Sequence, residues 1–171
     1  MTSVAHQLEK AERLSAITQK VGFALWQIQV LEGVAAKYFV LLTQAQKGMG
    51  SSAANALIDK AKSKTFGSTI HQIGKTGLLS SVLEERFIAL LEERNWLVHR
   101  SREDSQNAIH CDKTAKILIG RLNAMADETT ALLKEIGVLV EQFVRQHGVS
   151  AEHIDKVSKE LLEQWSNADA L

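Results

Sequence analysis

The chain has 171 residues, enough for one domain with a sizeable core and an appended terminal helix. Hydrophobic residues make up 45%, and 20 Lys+Arg balance 20 Asp+Glu, so the formal charge is zero. That balance argues against a protein held to nucleic acid mainly by neutralising phosphates, and leaves room only for a small basic patch around one site.

The first segment, roughly Ser3 to Lys47, permits helix throughout. Phe23, Trp26, Val30, Val34 and Leu41 recur in it at helical spacing, with Leu31, Tyr38 and Leu42 beside them. Gly22 and Gly33 mark a junction or a close packing contact, since glycine costs about 1 kcal/mol inside a helix. Lys47-Gly48-Met49-Gly50-Ser51-Ser52 is a break, with glycines for the turn and serines to cap the next helix. That short helix spans Ala53 to Lys62, and a loop from Ser63 to Thr69 then runs into a second short helical piece. Gly74-Lys75-Thr76-Gly77 ends that piece.

Leu78 to about Arg102 reads as the fourth helix. Asp112 is the N-cap candidate for a long helix reaching about His147, with Gly148 as its C-cap. Ser150 opens a last helix to about Trp165. The long helix carries a seam: Leu118, Leu122, Met125, Thr129, Leu132, Ile136, Leu139 and Phe143 alternate by four and three residues. This is the spacing of coiled coils and helix bundles, and it serves either packing within the chain or pairing with a second copy. No strand pattern occurs, and there is no proline to break a helix. The expected fold is all-α, an up-and-down bundle of long helices over residues 1–148, with an extra C-terminal helix and tail over 149–171.

Cys111 is the only cysteine, so no disulfide can form within the chain. The residues after Met1 have neither the basic nor the apolar stretch of a secretory signal. The longest apolar runs are a few residues, against the roughly 20 needed to cross a bilayer. A soluble protein of the reducing cytoplasm, with no membrane partner, is the expectation.

Two decoys can be set aside. Gly74-Lys75-Thr76 ends like a phosphate-binding loop, but the first glycine of G-x-x-x-x-G-K-[ST] would stand at position 69, which is Thr69, and no strand precedes it. Histidines 6, 71, 99, 110, 147 and 153 make no zinc spacing with one another, a cysteine or a carboxylate. Glu84-Glu85 and Glu92-Glu93 lack the Glu-x-x-His that a carboxylate di-metal bundle needs. No metal and no cofactor is expected, and those glutamates read as a solvated face.

The fourth helix holds the least expected placement. With Phe87 as angular zero and about 100° per residue, Leu83, Leu90, Leu91, Leu97 and Val98 form one apolar stripe within roughly 80°. Arg94 falls near its centre, at about −20°. A permanent charge there is costly unless it ion-pairs, snorkels to the surface or lines a cleft. His99 lies about 120° from the stripe centre and shares a polar strip with Asn95 and Arg102. Arg94 and His99 are therefore about 140° apart and cannot converge on one straight helix. Trp96 sits on the opposite side, either covered by another helix or open to a partner or an RNA base.

Arg94-Asn95-Trp96-Leu97-Val98-His99 resembles the Arg-x(4–6)-His motif of the HEPN superfamily, all-helical proteins of prokaryotic defence and toxin systems. The polar Asn95 after the arginine fits that pattern, and the likeness runs over roughly positions 20 to 145. The resemblance implies a metal-independent endoribonuclease, toxin or phage-defence effector, acting as a homodimer with two motifs facing one cleft. His99 would be the general acid or base, Arg94 would stabilise phosphate charge, and Asn95 would orient one of them. Trp96, Arg100 and Arg102 would contact the RNA. An antitoxin or defence-complex protein is the further partner implied. In one toxin subgroup the motif continues His-x-Tyr; Ser101 stands at that position here, so neutralisation through a tyrosine has no acceptor. The alternative within the resemblance is a non-catalytic helical module that binds a protein or nucleotide.

Overall fold

The computed structural model describes residues 4–46 and 48–168. The Ser3 and Lys47 ends of the first segment, and the tail beyond 168, lie outside the described residues. Seven α-helices and one 3-10 helix make up the described chain, and no residue among them is a strand: α1 (Val4–Thr43), α2 (Ser51–Lys62), α3 (Phe66–Gly74), α4 (Ser81–His99), α5 (Ser101–Asp104), the 3-10 turn Gln106–Ile109, α6 (Asp112–Gln146) and α7 (Ala151–Ala168). The protein is an all-α bundle.

Compactness divides it inside α6, into Met1–Lys134 and Glu135–Leu171. In the first unit the core is built from Ile28 and Leu31 of α1, Ile73 of α3, Phe87 of α4, and Leu122 and Leu132 of α6, all fully buried. Phe66 meets Phe87 edge to face, with ring centroids 6.5 Å apart, and this contact locks the start of α3 onto α4. Thr129 is as buried as its apolar neighbours, and its hydroxyl is satisfied by donating to the Met125 carbonyl at 2.7 Å. The first five positions of the four-three seam of α6 are spent on this packing, while Leu139 and Phe143, in the second unit, are half-buried. Leu118, Leu122, Met125, Thr129 and Leu132 are all buried in the first unit.

Local chemistry sets the helix boundaries. Ser80 caps α4 by accepting from the Leu83 amide at 3.2 Å, so the helix begins at Ser81 rather than at Leu78. Thr65 caps α3 in the same way through the Ser68 amide, which puts helix where the sequence suggested loop. Gly74 is the last residue of α3, and the Glu84 carboxylate packs against its Cα, where a Cβ would have to displace it. Asp112 is the first residue of α6, so the N-cap position falls to Cys111, whose carbonyl accepts from the Ala115 amide. Asp112 instead ion-pairs with Arg13, which also donates to the Ile109 carbonyl and ties α1 to the start of α6.

α1 runs unbroken through Gly22 and Gly33, and a Cβ on either would meet nothing within 4 Å. Neither glycine marks a junction or a close contact within the chain. One 18-residue window of α1 reaches a mean hydropathy of 1.2, so by length and composition this helix could cross a membrane; 39% of the window is buried in the protein.

In the second unit, Gly148 adopts φ +89° after α6. His147 stacks on Phe143 at 4.2 Å, and Ser150 caps α7 by accepting from the His153 amide.

Candidate functional site

α4 is regular from Ser81 to His99, and Arg100, with φ −127°, turns the chain out of it. On a regular helix Arg94 and His99 stay about 140° apart and about 7.5 Å apart along the axis. They do not converge within one chain. Arg102 stands on α5, beyond the turn, so the strip that would join it to Asn95 and His99 is broken at Arg100.

Arg94 has both features that make a charge tolerable on an apolar stripe. Its Nε donates to Glu32 Oε1 of α1 at 3.2 Å, with the two side chains about 30% and 28% exposed. It also lines a cavity of about 430 Å³, together with Asn95, Lys64, Thr65 and Gly67. Asn95 accepts from Arg94 Nη1 at 3.4 Å, so within the chain it supports the arginine and not His99. The Lys64 ammonium is turned to Gln72 Oε1 at 2.8 Å and sits 5.2 Å from the Phe39 ring centroid. Arg94 is thus the one cation of this cavity, among the described residues, whose partner is a carboxylate in reach of displacement by an incoming anion.

His99 is exposed, and its imidazole forms no hydrogen bond or ion pair with the described residues. Arg100 and Arg102 are exposed as well. Arg102, Ser101 and Glu103 rim a larger cavity of about 680 Å³, floored by Leu14, Ile17 and Val21 of α1. The end of α4 therefore meets the middle of α1, at Glu32, and the segment after α4 meets residues earlier in α1.

Trp96 belongs to another cluster. Its Nε1 donates to Asp104 Oδ2 at 2.8 Å, and the Arg121 guanidinium of α6 lies 3.3 Å from the ring centroid. Glu93 holds that guanidinium with two hydrogen bonds, at 2.7 and 2.9 Å. One face of the ring and its N–H are occupied, and only the remaining surface could meet a base. Sequence reasoning missed this cluster. The available signal was Glu93 and Trp96 three residues apart on one flank, which needs a cation from another helix.

Among the described residues no group of three His, Cys, Asp or Glu stands close enough to hold a metal ion. Comparison with protein-family profiles, curated proteins and solved structures finds no match for this chain.

Proposed function

We propose that the chain is a cytoplasmic, metal-independent endoribonuclease of the HEPN type, a toxin or defence effector whose site is shared by two copies meeting along α4. The observation that carries the reading is the pairing of opposites on that helix: a part-buried arginine at a cavity mouth, and five residues on an imidazole with no partner among the described residues. Their angular separation is the reason for the second copy. Arg94 of one chain and His99 of the other can reach one phosphodiester, where two residues of a single straight helix cannot.

In this mechanism a neutral His99 imidazole takes the proton of the ribose 2′-OH. The 2′ oxygen attacks phosphorus, the bond to the 5′ oxygen breaks, and the leaving oxygen takes a proton from the imidazolium of the second copy. Arg94 stabilises the charge that grows on the phosphoryl oxygens. The products are a 2′,3′-cyclic phosphate and a 5′-hydroxyl. Arg100 and Arg102, both exposed beside the motif, supply phosphate contacts. An antitoxin or a defence-complex protein would restrain the activity. Digestion of total RNA in the presence of EDTA, with His99→Ala in parallel, tests the reading.

A second reading has its own observation. The Arg94–Glu32 pair already satisfies the arginine, as it would in a helical module that binds a protein or nucleotide without cutting RNA. An intact, folded protein that binds RNA or nucleotide and cleaves nothing would favour it.

A further inference from the structure

Within the first unit, the face of α1 opposite the core is largely uncovered among the described residues, with only Ala16 and Gly33 half-buried. With the fully buried Ile28 as angular zero, Glu12, Ala16, Gln19, Phe23, Trp26, Val30, Gly33 and Lys37 all fall in an arc about 100° wide on the far side of the helix. Their spacing is a strict alternation of four and three residues. Trp26 is 69% exposed, Phe23 47% and Val30 43%. Three large apolar side chains in adjacent turns of a heptad seam would not normally be left to water.

We propose that this face is a self-association seam, along which α1 of one copy lies antiparallel to α1 of a second copy. The argument for a second copy as occupant is that the seam is complementary to itself in one register. With the two-fold axis between residues 24 and 25, Glu12 faces Lys37 of the other chain, Ala16 faces Gly33, Gln19 faces Val30 and Phe23 faces Trp26. Every layer then occurs twice, once on each side of the axis. The charged layers close the two ends of the seam, and the aromatic layers meet at its centre.

Three observations within the chain point the same way. Glu12 and Lys37 make no ion pair among the described residues, whereas their neighbours Glu9 and Glu32 hold Arg13 and Arg94. Gly33, costly inside a helix, is required by nothing that touches it in this chain; opposite Ala16 of a partner it completes a small–small layer that lets the backbones approach. A parallel arrangement in register would set Glu12 on Glu12 and Lys37 on Lys37, which repel. Gln19 places one polar group in the seam, a device that fixes register at some cost in affinity.

The seam from Glu12 to Lys37 is about 37 Å long at 1.5 Å per residue. Its centre, Phe23 and Trp26, lies about 180° and about 120° around α1 from Glu32, whereas Gly33 at one end lines a cavity with Glu32, Lys64 and Phe66, three residues that also line the Arg94 cavity. The inference does not depend on the ribonuclease reading. A contact along α4 would use a different surface, and a chain with both would assemble beyond a dimer.

The test is site-specific cross-linking in a Cys111→Ser background, Cys111 being exposed and the only native thiol. Glu12→Cys and Lys37→Cys chains are oxidised separately and as an equimolar mixture. A two-chain disulfide product in the mixture, at least about tenfold more abundant than in either variant alone, is the result expected. Adding Trp26→Glu to both chains should remove it, with the helical circular dichroism spectrum unchanged. No product in the mixture, equal product in the single variants, or a product that survives Trp26→Glu overturns the proposal.

Discussion

Arg94 Nε and Glu32 Oε1 stand 3.2 Å apart, and this pair joins α4 to α1 at the mouth of the cavity that Asn95 also lines. The contact has two consequences with different sizes. As a structural bond it is modest, because both side chains are more than a quarter exposed and water screens them. As a local charge balance it matters more, since the carboxylate competes with any phosphate for the same guanidinium.

Glu32→Gln should therefore cost less than about 1 kcal/mol of stability in urea denaturation. The same substitution should tighten binding of single-stranded RNA at fixed salt, read by fluorescence anisotropy. Unchanged or weaker binding would mean that Arg94 does not meet the phosphate.

The Arg121–Trp96 stack makes a second prediction. Arg121→Ala removes a cation–π contact and a two-point ion pair whose members are about 40% exposed, so the expected stability loss is about 1 kcal/mol. With Trp26 and Trp165 replaced by Phe, Trp96 is the only indole left. Acrylamide should quench it more strongly in Arg121→Ala than in the parent. Equal quenching would contradict the covered ring face.

Cys111 gives a prediction in pH. The Thr114 backbone N–H above all, then the Thr114 hydroxyl and the Lys113 backbone N–H, stabilise the thiolate and lower the pKa of the exposed thiol. A lowered thiol pKa means that thiolate persists to lower pH. The rate of alkylation by iodoacetamide should therefore rise with a midpoint below that of free cysteine. Thr114→Val should move the midpoint upward. A profile that overlays free cysteine would contradict this account of the α6 N-terminus.

Much of the helix order was legible because its signals are local. Gly148 and Ser150 act within one turn of the boundary they set, and the structure keeps those boundaries; Ser51 and Ser52 do not cap α2 but form its first turn, with Gly50 at the N-cap position and no side-chain cap. The α4 start was misplaced by three residues because Leu78 and Leu79 continue the apolar pattern, while the capping Ser80 decides where amides first find carbonyls. The α6 seam was legible as a seam, but whether it packs inside or outside depends on what other helices offer. The structure buries it from Leu118 to Ile136 and leaves the α1 pattern of Phe23, Trp26 and Val30 in solvent. Of the site, the unusual position of Arg94 could be read from angle alone. Its partner Glu32 could not, since the two lie 62 residues apart and meet only through the packing of α1 on α4.

The most direct measurement is cleavage of a defined single-stranded RNA by purified protein in excess EDTA, with the product ends identified. Wild type should cut and leave 2′,3′-cyclic phosphate and 5′-hydroxyl ends. His99→Ala and Arg94→Ala should each lose about 10²–10⁴-fold in rate with an intact helical spectrum. Arg94→Lys should also be poor, because an ammonium cannot present two parallel donors to a phosphate. Asn95→Ala should lose less. No cleavage by wild type, cleavage abolished by EDTA, or full activity in His99→Ala would contradict the ribonuclease reading.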